Sequence, residues 1–127
     1  METEKKLTEK EEEFYRHLKK QLFLSGINIQ SKVSLYDICN NHDMPLAFGN
    51  DVNILKQIDI DFVLYKKGKL IAGIEILDEP NELDENLGEK TLIDFNFKRL
   101  SAQCHMVLGT DDMKKAAAII KEKISDR

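Results

Sequence analysis

Residues 57–77, QIDIDFVLYKKGKLIAGIEIL, constrain the fold more tightly than any other stretch of this chain. Two apolar runs flank a Lys-Lys-Gly-Lys turn, the pattern of a β-hairpin. Side chains on a strand alternate between faces, so parity decides which residues travel together. The even positions Ile60, Phe62 and Leu64 are apolar, as are Leu70, Ala72, Ile74 and Ile76. If these form one core face, Asp59, Asp61 and Glu75 share the opposite one. The turn allows two registers. A two-residue loop at Lys67-Gly68 pairs Asp61 with Ile74 and turns Glu75 to the other face. A three-residue loop, Lys66-Lys67-Gly68, sets Asp61 opposite Gly73 and Glu75 opposite Asp59. In that register Asp61 and Glu75 are diagonal neighbours roughly 7–8 Å apart, close enough to share a cation.

A plainer reading is that the acids mark the wet side of an antiparallel sheet, where they need no task. Against it, Val63, Ile71 and Leu77 are also odd, so the face is partly covered. Acids grouped beside apolar neighbours repel one another unless a counter-charge or metal intervenes. The pattern alone leaves both readings standing.

The rest of the chain supplies layers for this hairpin. Residues 8–24 read as a helix: Thr8 and Glu11 have capping-box spacing, and Phe14, Leu18 and Leu22 form an apolar stripe. Ser25-Gly26 stops it, with Gly26 as a left-handed cap. INIQSKVSL alternates as a strand, YDICNNH reads as a short helix, and DMPLAFGNDVN as a loop. After the hairpin, DEPNELDENLGEK is a polar, acidic connection. Residues 89–102 look helical, with Leu92, Ile93, Phe95, Leu100 and Ala102 on the apolar side. HMVLG is a short buried strand. Thr110-Asp111-Asp112 then start a helix whose Met113, Ala116, Ala117, Ile120 and Ile124 recur at three- and four-residue steps. The expected fold is α/β, a mixed four-stranded sheet flanked by helices in the order α-β-β-β-α-β-α. Residues 1–6 read as a charged flexible lead and 7–127 as one domain, the size that 127 residues allow.

Charge narrows the function classes. With 19 basic and 23 acidic residues the net charge is −4, so tight non-specific grip on nucleic acid is disfavoured. YKKGKL and FKRL leave room for a local basic patch, read first as solvated lysines. No run of about 18 apolar residues is present, so no membrane partner is expected. METEKKLTEKEEEF lacks the apolar segment of a secretory signal, which points to a cytoplasmic location. Cys39 and Cys104 lack metal-ligand or C-x-x-C spacing and read as buried thiols.

An acid in IDFVL, a hairpin, and Glu75 inside the apolar strand IEI resemble the PD-(D/E)-x-K signature of the restriction-endonuclease-like nucleases. LTEKEEEFYRHL, SKVSLYDI, IDFVL followed by LIAGIEIL, and DFNFKRLSAQ more closely resemble a bacterial family of that superfamily known only as a domain of unknown function. The resemblance covers about residues 7–108. It implies a restriction-endonuclease-like core hydrolysing DNA phosphodiesters with Mg²⁺. Asp61 and Glu75 would then be metal ligands, aided by the Ile76 carbonyl and an extra acid from Glu11. Mg²⁺ takes hard oxygens, lowers the pKa of a bound water and stabilises charge on the scissile phosphate.

The chain departs from the signature where chemistry is most demanding. Leu77 stands at the lysine position two residues after Glu75, and leucine cannot orient a nucleophilic water. Asp78 has the wrong parity unless a bulge turns it. The related family carries a His after this strand and an Arg-Asp pair in the next helix; here the connection has no His, and Ile93 precedes Asp94. Lys90 or Lys98 in that helix would have to supply the missing charge, Lys98 being the candidate catalytic lysine. Glu11 reads first as the capping-box acid and only second as a ligand, and His105 as a surface or core residue before a base.

The favoured expectation is a nuclease-superfamily domain with weakened or lost cleavage that still binds nucleic acid or a protein partner. The alternatives are an active Mg²⁺-dependent endonuclease with a relocated lysine, and a structural or interaction domain with no nucleic-acid role.

Overall fold

The computed structural model describes residues 6–40, 52–77 and 87–125. Residues 1–5 of the charged lead, most of the DMPLAFGNDVN segment and the acidic connection through 86, Asp78 included, lie outside the described residues. The elements are α1 (Glu9–Gln21), β1 (Ile27–Ser34), α2 (Leu35–Asn40), α3 (Val52–Gln57), β2 (Asp59–Lys66), β3 (Lys69–Leu77), α4 (Leu87–Arg99), β4 (Gln103–Leu108) and α5 (Met113–Ser125). One four-stranded mixed sheet has the order β1-β2-β3-β4. β1, β2 and β3 are antiparallel neighbours, and β4 returns through α4 to lie parallel to β3. This is the expected mixed α/β sheet flanked by helices.

Both faces of the β2–β3 hairpin are buried, which overturns the reading of its odd face as a wet surface. Phe62, Leu64, Ala72, Ile74 and Ile76 pack with Phe14 and Leu18 of α1 and with Met113, Ala117 and Ile120 of α5. Val63 and Tyr65 pack on the other side with Leu35 and Ile38 of α2, Leu55 of α3, and Ile93 and Phe97 of α4. Even-odd parity holds through the middle of the hairpin and breaks at both ends, because Ile60 and Leu70 join the second cluster. The break at Leu70 has a visible cause. Leu64 pairs with Ala72 and Tyr65 with Leu70, so Ile71 is an extra residue that turns toward the first cluster.

Several boundaries differ from the sequence expectation. Helix α1 ends at Gln21 rather than near residue 24, and both Leu24 and Gly26 are left-handed beyond it. VNILKQ, with its first two residues expected in a loop and its last opening the hairpin stretch, is the short helix α3, with Leu55 buried. Leu35 begins α2 instead of ending β1. On α4, Phe95 is about half exposed and Phe97 is fully buried, so Phe97 replaces Phe95 as the core aromatic. Ile93 and Phe97 are four residues apart and face the sheet together. Phe97 explains Gly73: a Cβ there would stand 2.5 Å from the Phe97 ring. The stripes of α1 and α5 are buried as the periodicity requires.

Candidate functional site

The site forms where β2 and β3 separate. The turn is the two-residue one, with Lys66 level with Lys69 and both Lys67 (φ +53°) and Gly68 (φ +77°) left-handed. Taken alone, that turn would send Asp61 and Glu75 to opposite faces. The Ile71 bulge moves the register by one, so the ladder ends at Phe62–Ile74, one step short of aligning Asp61 with Glu75. The three-residue loop is therefore corrected, while its consequence, carboxylates meeting at one point, is reached by another route.

Beyond that last pair the side chains take over from the ladder. The Asp61 amide donates to Glu75 Oε1 at 2.8 Å, and the Ile76 amide donates to Asp61 Oδ2 at 2.8 Å. Each acid thus satisfies a main-chain N–H of the other strand, which accounts for acids in a buried hairpin. Asp59 stands apart at the head of β2, level with Ser34 of β1.

The first helix brings the third acid. Thr8 and Glu11 form a complete capping box: Thr8 Oγ1 accepts from the Glu11 amide at 3.2 Å, and Glu11 Oε1 accepts from the Thr8 amide at 2.9 Å. Glu11 nevertheless has a second oxygen to offer, so capping and site membership are not alternatives.

A lysine completes the cluster, and it is not one the sequence pointed to. Lys32 Nζ lies 2.6 Å from Asp61 Oδ1 and 2.7 Å from Glu11 Oε2. Lys32 sits in β1 between Ser31, paired with Phe62, and Val33, paired with Ile60, and so lies across from Asp61. Its backbone is left-handed (φ +52°), a conformation that costs a lysine about 1–2 kcal/mol. The ammonium held between two carboxylates offsets that strain. Lys98 stands elsewhere, lining a cleft with Asp94, Ala102 and Gln103, and Gln103 is level with Ala72 rather than with Glu75. Lys90 pairs with Asp94 on its own helix. Neither supplies a charge to Asp61.

The electrostatics follow from this geometry. Burial works against the Glu11 carboxylate, but Lys32 and the Thr8 amide outweigh it and hold the group below its ordinary range. Burial likewise opposes the Lys32 ammonium, and Asp61 and Glu11 hold its pKa above the usual lysine range. Asp61 is only 7% exposed, and burial pushes its pKa up against the pull of Lys32 and the Ile76 amide. Glu75 has no cation in contact among the described residues; burial first, then the Asp61 charge, raise it to about 8. Near neutral pH the cluster therefore holds Glu75 largely protonated beside the Glu11–Lys32–Asp61 group.

Can these residues hold Mg²⁺? Asp61 Oδ1 and Glu11 Oε2 do converge on one cation, and that cation is the Lys32 ammonium. Their other oxygens accept from Ile76 and Thr8, and among the described residues no group of three or more His, Cys, Asp or Glu is arranged for a metal ion. The arrangement suits an ammonium better than a divalent ion that keeps octahedral waters.

Comparison with family models, curated proteins and solved structures finds no match. Among the described residues no helix is long and apolar enough to cross a membrane. Cys39 and Cys104 are buried free thiols, and His105 is a buried residue of β4 level with Ile74.

Proposed function

We propose that this chain is a cytoplasmic, restriction-endonuclease-like domain in which metal-dependent cleavage is weakened or lost and binding to nucleic acid or a protein partner is retained. The observation that carries this reading is the Lys32 ammonium, 2.6 Å and 2.7 Å from the two carboxylates to which the resemblance assigns metal. An internal cation there does electrostatically what a divalent ion would do for Glu11 and Asp61, without a Lewis acid to activate water. Leu77 at the signature lysine position points the same way.

A second reading is favoured by the same lysine. Lys32, unlike Lys98, touches Asp61, and an active Mg²⁺-dependent endonuclease with a relocated lysine would need that ammonium to yield Asp61 to the metal.

Incubation of the purified chain with plasmid and single-stranded DNA in Mg²⁺ or Mn²⁺ separates the two. The proposed reading expects weak or no cleavage, and no tight Mn²⁺ binding by calorimetry in the wild type. Cleavage abolished by both Asp61→Asn and Lys32→Ala would replace it with the active enzyme.

A further inference from the structure

The lysines that take no part in the acid cluster gather at the opposite end of the hairpin. In a chain with 23 acidic residues, residues 14–36 and 62–74 contain no Asp or Glu. The fold brings the basic parts of these two stretches together. Ile27, the first residue of β1, pairs with Lys66, and Lys66 pairs with Lys69 across the turn. Gly26 lies against the Lys66 side chain, and Lys19 at the end of α1 lines a groove with Gly26 and Ile27. Lys19, Lys20, Lys66, Lys67 and Lys69 are all exposed, and none makes an ion pair among the described residues.

Apolar surface is exposed at the same corner. Phe23 is 77% and Leu24 88% exposed, the largest such exposures among the described apolar residues. Both line the groove, of about 370 Å³, with Tyr15, Lys19, Asn28 and Ile29. The groove runs beside β1, an edge strand of the sheet.

We infer that this corner binds single-stranded nucleic acid, with the lysines on phosphates and Phe23 stacking on a base. The inference rests on the proposed retention of nucleic-acid binding for its class of partner, and on the corner itself for its location. Charge complementarity selects an anionic partner. The concave groove with an aromatic and an amide, Phe23 and Asn28, selects a base over a flat bilayer surface. Stacking on an aromatic beside a cationic track is how sequence-tolerant single-strand binding works. Asp61 and Lys66 are five residues apart on β2, roughly 17 Å of strand, so a strand held here lies away from the acid cluster.

Fluorescence anisotropy of the full chain with a labelled dT oligonucleotide tests this across a salt series. Replacing Lys66, Lys67 and Lys69 together by Ala is expected to weaken binding at least about tenfold and to reduce the salt slope by about 0.7 for each phosphate that is no longer neutralised. Phe23→Ala is expected to weaken binding by about tenfold with the slope unchanged. Cleavage in the plasmid assay above would overturn the proposed loss of activity without touching this surface, so the two readings fail separately. Absence of binding at low salt, or affinity unchanged in both corner variants, overturns the inference. So does binding to phosphatidylserine vesicles through Phe23 in place of the oligonucleotide.

Discussion

The two ends of the β2–β3 hairpin carry charge in opposite ways. At the turn, the side chains of Lys66, Lys67 and Lys69 stand in water, and the main-chain ladder closes at the Lys66–Lys69 pair with no help from them. At the other end the ladder stops at Phe62–Ile74, and Asp61 and Glu75 bond the main chain of each other's strand while Lys32 neutralises Asp61. An exposed charge keeps its hydration and contributes little to stability, whereas a buried one must be matched atom by atom. The acid end is therefore part of the core's construction. The lysine end is free to meet something outside the molecule.

Lys32→Met puts the sharpest strain on that contrast. It leaves the Asp61 carboxylate buried without its cation, and denaturant unfolding is expected to show a loss of about 3–5 kcal/mol. A loss under about 1 kcal/mol would mean that the acid end is as solvated as the turn.

The pH dependence probes the same end more gently. With Glu75 at about 8 in the folded protein and near 4.5 when unfolded, the folded state holds the extra proton between those values. Stability is therefore expected to fall as pH rises from about 4.5 through 8, by on the order of a few kcal/mol in total. Glu75→Gln should flatten that slope, and an equally steep slope in the variant would assign it to another group.

The smallest effect belongs to the turn. Replacing Lys66, Lys67 or Lys69 singly by Gln should change unfolding stability by less than about 0.5 kcal/mol. A larger loss would show these lysines to be structural and remove the contrast.

Pattern in the chain is a good guide wherever one element can be read on its own. The Thr8–Glu11 capping box and the stripes of α1 and α5 need only local spacing, and each is present. The hairpin and its acids are legible too, but through the wrong turn. The Ile71 bulge that rescues their convergence carries no signal in an unbroken apolar run. Phe97 takes the core place expected of Phe95 because α4 has apolar residues on several sides, and the close approach of Phe97 to Gly73 is set by the sheet beneath. The nuclease resemblance singles out Asp61, Glu75 and Glu11 but places the lysine forward in α4, away from the strand that carries it.

What the sequence determined by itself was the set of elements, their caps and the apolar faces they bury, because those depend on residues within a few positions of one another. Tertiary structure alone chose the lysine. Lys32 reads as an ordinary polar residue on a strand, and its partners are 21 and 29 positions away. Which cation reaches Asp61 depends on strand register, on a left-handed residue in β1 and on how α1 lies over the sheet. Those are properties of packing, settled by the cost of leaving a buried carboxylate without a counter-charge.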